Sequence, residues 1–167
     1  MDKLLSLLDK HREEDRRTTV KAVLHNDDGN VLVCHKEKKK RTQVSLPGGE
    51  IEQGEHVDDA LLRELKEELC GHTFSLLQLQ SVPLLAYATV PTKRDGFRNK
   101  ALFIFGCRCV DLENIRPKNG ELVDPVILNI AEARQYIWNH AGTPIEITAA
   151  YAEALTNLEY LLQNGTT

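Results

Sequence analysis

Hydrophobic and polar positions along the chain switch between two periods, and the switch points divide it into strands and helices. Thr18 to His25 reads as a strand and Val31 to His35 as a second; Asn26-Asp27-Asp28-Gly29-Asn30 between them has the turn chemistry of a hairpin. Val44 to Leu46 predicts a short strand running into the loop Leu46-Pro47-Gly48-Gly49. Leu61, Leu62, Leu65 and Leu69 recur at helical spacing and predict a helix over about 56–69. Asp58 and Asp59 suit the positive end of its dipole, and Gly71 suits its C-terminal stop. One or two strands, bent at Pro83, are expected between Phe74 and Val90, and the apolar run Ala101 to Val110 predicts a central strand. A last strand over 126–130 precedes helices over 131–139 and about 146–162; Leu4, Leu5, Leu7 and Leu8 mark a further amphipathic helix from 3 to about 14. This mixture fits an α/β fold, with helices on both sides of a mixed β-sheet.

Composition narrows the class. The 167 residues suit one domain spanning 1–167, and 41% hydrophobic with 28% charged residues is ordinary for a soluble globular protein. A net charge of −4 leaves no footprint for non-specific nucleic-acid binding, so no nucleic-acid partner is expected, although a local basic patch could still take a small anion. Cys34, Cys70, Cys107 and Cys109 form no C-x-x-C pair and read as reduced thiols. No stretch has the length of a membrane span, and the first eight residues do not make a signal peptide. A cytoplasmic protein with no membrane partner is expected.

The candidate chemistry lies on the helix after the glycine loop. Glu64, Glu67 and Glu68 stand at i, i+3 and i+4, so their carboxylates share one face. Crowding like charges this way costs roughly 0.2–0.5 kcal/mol per pair. A hard divalent cation such as Mg²⁺, which takes oxygen ligands from a few carboxylates and from phosphates, would offset that cost. Gly48 and Gly49 allow a turn tight enough to offer a backbone carbonyl to the same ion.

Five residues separate Gly49 from Glu55, and seven separate Glu55 from Arg63-Glu64-Leu65-Lys66-Glu67-Glu68. This spacing resembles the sequence box of the Nudix hydrolase superfamily. Six glycine, glutamate and arginine positions match together by chance only ~10⁻⁵ times over a chain of this length. Cys70 and Gly71 depart from the last two positions of the box, a glycine and an aliphatic residue. The resemblance implies an α/β/α sandwich and a pyrophosphohydrolase dependent on Mg²⁺ or Mn²⁺. Its substrate would be a nucleotide: a nucleoside diphosphate linked to another moiety, as in a nucleoside triphosphate, a dinucleoside polyphosphate or a nucleotide sugar. By the same resemblance, Glu64, Glu67 and Glu68 with the Gly48 carbonyl hold the metal, and Arg63 and Glu55 organise the carboxylates. A distal acid acts as base or further ligand; of Glu113, Glu121 and Asp124, Glu121 is the first choice.

The run Lys36 to Arg41 precedes the glycine loop, so Lys38, Lys39, Lys40 and Arg41 are candidate phosphate contacts, as are Lys93, Arg94 and Arg98 on a later loop. Tyr87 stands where relatives acting on dinucleoside polyphosphates carry a tyrosine, and is the candidate to stack on a base. His35, Glu52 and His56 flank the loop and are weaker candidates. Two other readings stay open: a non-catalytic nucleotide-binding module or sensor, and an isomerase or transferase on the same fold. Nothing in the sequence decides the oligomeric state, and a homodimer is compatible with it.

Overall fold

The structure is a computed structural model that describes residues 17–38, 41–75, 79, 82–91, 99–118, 120–140 and 142–165. The expected helix over 3–14 and the loop carrying Lys93, Arg94 and Arg98 lie outside the described residues, as do Lys39, Lys40 and the side chains of Lys38 and Arg41.

Strands β1 (Arg17–His25) and β2 (Asn30–Lys38) form the expected hairpin, and β3 (Arg41–Ser45) turns back on β2. Helix α1 (Val57–Glu68) runs directly into a two-residue strand, β4 (Leu69–Cys70). Then come β5 (Leu84–Pro91), β6 (Asn99–Arg108), a 3₁₀ turn at Leu112–Asn114, β7 (Arg116–Pro117) and β8 (Val123–Asn129). Helices α2 (Ile130–Asn139) and α3 (Ile145–Gln163) close the described chain. The Asn129 side chain and Glu132 form a capping box that starts α2, which is why it begins as soon as β8 ends.

The sheet order is β3-β2-β1-β6-β5, with β8 paired to β2. The β1–β6 pair is parallel and runs from Arg17↔Lys100 to His25↔Arg108; the other ladders are antiparallel, so the sheet is mixed as expected. Alternation along the strands feeds two cores. Val20, Ala22, Leu24, Cys34, Phe103 and Phe105 pack with Leu61, Leu65 and Leu69 of α1 and its exit; Val23, Val33, Val44, Leu102 and Ile104 pack with α2 and α3. Helices therefore cover both faces. Leu62 is only partly buried at the margin of the first core.

The end of α1 differs from the expectation. The helix does not stop at a left-handed glycine; Leu69 is already extended, and Leu69–Cys70 pairs with Arg116–Pro117. Gly71 is instead required one step later. Its φ is +90°, and a Cβ there would stand 1.9 Å from the Asn114 carbonyl oxygen. It permits close passage beside the 3₁₀ turn.

Candidate active site

The loop Pro47–Ile51 leaves β3 and lies along the edge of β1. Val20 donates its amide to the Gly49 carbonyl at 2.9 Å, Ala22 to Pro47 at 2.9 Å, and Ile51 donates to Thr18 at 3.0 Å. Thr19 and Glu50 form an isolated antiparallel bridge. The glycine loop is thus held as an extra stretch of sheet beside β1. Gly48 has φ +120°, and a Cβ there would meet the Val20 carbonyl oxygen at 2.3 Å, so only glycine fits. At Gly49 a Cβ would meet the Glu64 carboxylate at 2.3 Å. The missing side chain is the space in which that carboxylate rests.

Helix α1 presents its acidic face to this loop. Glu64, Glu67 and Glu68 line one cleft of about 490 Å³ together with Gly48, Gly49 and Glu50. Each carboxylate has a distinct setting. Glu68 is 4% exposed and accepts the Gly48 amide at 2.6 Å. Burial raises its pKa, and the Lys21 charge and the Gly48 N–H act against that rise. Glu64 accepts from Arg63 Nη1 at 2.8 Å, and Glu67, more than half exposed, lies 3.6 Å from the same nitrogen.

Arg63 bonds two carboxylates and a backbone carbonyl at once. Its Nε and Nη2 each donate to Glu55 at 2.9 Å as a bidentate pair, and Nη2 also donates to the Glu50 carbonyl at 2.9 Å. The paired hydrogen bonds hold the Glu55 carboxyl below its ordinary pKa. Glu55 also accepts the Glu52 amide at 2.9 Å, which ties the turn before α1. Glu55 is not among the cleft-lining residues; Arg63 links it to Glu64, which is.

Glu121 lies in the cleft, whereas Glu113 and Asp124 do not line it. Its carboxylate takes a hydrogen bond from Lys36 Nζ at 2.9 Å, which lowers its pKa. Lys36 is the one member of the basic run among the described cleft residues. Tyr87 does not line the cleft: its ring packs on Phe103 with centroids 5.0 Å apart, and its hydroxyl lies 3.2 Å from Thr89 Oγ1. His35 is also turned away. It is buried, with Nδ1 at 3.0 Å from the Asp124 carbonyl and Nε2 at 2.9 Å from the Tyr136 hydroxyl, so both ring nitrogens are engaged. His56 precedes α1 without capping it through its side chain. Cys70 is exposed, and its thiol points at the Arg116 carbonyl, 3.5 Å away. All four cysteines are free, and burial pushes Cys34 and Cys107 up to about 12.

The basic part of the cleft lining was not expected. Arg17, Thr19 and Lys21 alternate along one face of β1 and line the cleft with Lys100 of β6. Lys21 is buried, donates to the Gly48 carbonyl, and has its pKa lowered to about 8, chiefly by burial. Arg17 pairs with Glu50. One sequence signal could have found this wall: Lys21 interrupts the otherwise apolar run Val20–Leu24.

The donors fit a hard divalent ion. Carboxylate and carbonyl oxygens face one cleft, Gly49 leaves the room that Glu64 occupies, and the Gly48 carbonyl already attracts a cation in the Lys21 ammonium. As they stand, no three acidic, histidine or cysteine side chains among the described residues encircle a single point. Glu64 and Glu67 face Arg63, and Glu68 faces the Gly48 amide.

Comparison with known proteins bears on the same region. The NUDIX domain family model matches residues 15–150. The chain is 30% identical over 130 residues to the nucleoside triphosphatase NudI of Escherichia fergusonii, covering 75% of this chain and 92% of that one. Among solved structures, the MutT protein of Methanosarcina mazei Go1 has a TM-score of 0.63 at 15% identity, covering 86% of this chain and 95% of its own. An Ap4A hydrolase of C. elegans gives 0.63 at 15% identity, with 89% and 98% covered. The dihydroneopterin triphosphate pyrophosphohydrolase of E. coli gives 0.62 at 16%, with 84% and 95% covered. At such identities these structures speak for the fold, and the sheet flanked by helices on both faces agrees with them. With the family match spanning most of its length, the chain belongs to the Nudix family and is a hydrolase of phosphoric anhydride bonds.

Proposed function

We propose that this chain is a divalent-metal-dependent pyrophosphohydrolase of nucleoside triphosphates. The observation that carries the reading is the two-signed cleft, lined by Glu64, Glu67, Glu68 and Gly48 together with Lys21, Lys36 and Lys100. Mg²⁺ or Mn²⁺ would be held by Glu64, Glu67, Glu68 and the Gly48 carbonyl. When bound, such an ion would supply positive charge to neutralise phosphate oxygens and to make water more acidic.

The chain's own residues do the rest. Arg63 keeps Glu55 and Glu64 oriented, so the carboxylates are placed before substrate arrives. Glu121 is the general base or an additional ligand; Lys36, bound to it, keeps it ionised and able to accept a proton from the attacking water. Lys38, Lys39, Lys40 and Arg41 follow Lys36 in the sequence and would add positive charge for the phosphates. The name of the relative NudI, a nucleoside triphosphatase, supports the triphosphate class over dinucleoside polyphosphates.

A panel of nucleoside triphosphates, dinucleoside polyphosphates and nucleotide sugars, assayed with Mg²⁺, with Mn²⁺ and with chelator, tests the reading. Triphosphates are cleaved only with metal, and Glu67→Gln lowers turnover by at least ~10²-fold, about 2.7 kcal/mol of transition-state stabilisation, while the protein stays folded. Hydrolysis that persists in chelator, or a Glu67→Gln enzyme with the parent's turnover, rejects it.

A further inference from the structure

We infer that Lys21 and Thr19, on the cleft-facing side of β1, form an anion subsite for a substrate phosphate in the same cleft as the carboxylates. Two independent observations lead there. Lys21 is a buried cation that forms no ion pair within 4 Å among the described residues; its described hydrogen bond goes to the Gly48 carbonyl. An ammonium has three N–H donors, so two are left to give. Burying a charge without a paired partner is expensive, and an anionic ligand would supply the partner. Thr19 is 4% exposed and belongs to the cleft wall, yet its hydroxyl has no hydrogen-bond partner among the described residues. Buried polar groups are almost always paired, so an orphan hydroxyl two residues from an incompletely engaged ammonium, on the same strand face, marks a place prepared for acceptor oxygens. A phosphate has several, and could accept from both at once.

A purely structural Lys21 would look different. It would lie in an ion pair with Glu68, whose charge acts on it although no ion pair joins the two among the described residues. The subsite rests on the hydrolase reading only in taking its phosphate from the substrate.

Methylenediphosphonate, a diphosphate mimic that cannot be hydrolysed, separates the two ideas because its binding needs no turnover. Its affinity is measured by calorimetry at saturating Mn²⁺, and Mn²⁺ affinity alone by electron paramagnetic resonance, in the parent, Thr19→Val and Lys21→Met. The expected result has opposite signs. Lys21→Met weakens the diphosphonate about tenfold, yet holds Mn²⁺ as tightly as the parent or more tightly, because a neighbouring positive charge is gone. Thr19→Val weakens the diphosphonate roughly three- to tenfold and melts at or above the parent temperature without ligand, having lost an unpaired buried hydroxyl. Diphosphonate affinity unchanged in both variants overturns the subsite, and so does a parent that does not bind it. A parallel loss of Mn²⁺ affinity in Lys21→Met would mean that the lysine acts on the metal donors, and a Thr19→Val that melts several degrees lower would mean that the hydroxyl serves the fold. Absence of turnover on the nucleotide panel leaves this result standing and rejects only the hydrolase chemistry.

Discussion

Lys21 carries an ammonium into a strand where Val20, Ala22, Val23 and Leu24 are all fully buried. Burial lowers its pKa from 10.5 to about 8, so the folded state gives up this proton before the unfolded state does. Between pH 8 and 10.5 the unfolded chain therefore binds more protons at this residue, and folding stability rises with pH across that window. A shift of this size corresponds to about 3 kcal/mol at most. Lys21→Met removes the titration. Denaturant melts of both proteins in chelator should show the variant ahead at pH 7.5, with the gap closing as pH approaches 10.5; a gap independent of pH would mean the charge is not what burial penalises.

The junction between α1 and β4 shows how element boundaries are set. Gly71 passes against the Asn114 carbonyl with positive φ, so Gly71→Ala faces both backbone strain and a clash with main chain that must move. A loss of about 2–4 kcal/mol is expected in urea unfolding. Cys70→Ser, at an exposed position, should stay within about 0.5 kcal/mol of the parent with full hydrolysis. The reverse ranking would return the helix-stop role to the box's departed glycine position. The strands from 18 to 46, the helix over 57–68 and the final helices were legible because each has a period and a punctuating turn. Leu69–Cys70 and Arg116–Pro117 were not, since a two-residue strand has no period and exists only through a partner 46 to 48 residues away. The acidic face of the site was legible for the same reason as the helix: Glu64, Glu67 and Glu68 are fixed by local geometry. Thr19, Lys21 and Glu50 were not, because they meet the carboxylates only through the pairing of β1 with a loop about 30 residues on. Tyr87 was placed by its offset from the box, and offset says nothing of which side chain it packs on.

At the scale of the molecule, a net charge of −4 hides a division of sign. The cleft sets carboxylates against cations, and the run Lys36–Arg41 adds positive charge on the segment leading into β3 and the glycine loop. Among the described residues no helix is long and apolar enough to cross a membrane. Neutralising Lys38, Lys39 and Lys40 together should raise KM for a triphosphate more than it lowers kcat, because such charges would bind ground and transition states alike. The effect should shrink at high salt. Steady-state titrations at two ionic strengths check it, and equal KM values in low salt would confine phosphate recognition to the cleft's own cations.

The parallel register of β1 and β6 has a consequence for assembly. Arg17 faces Lys100 and His25 faces Arg108, each across 83 residues, while the other edge of β1 carries the glycine loop. The helix that bears the carboxylates can form from neighbours in the chain, but the rail against which they are aimed needs a partner that a ribosome delivers much later. For a nascent chain shorter than about a hundred residues, the motif is complete as text and incomplete as an instrument.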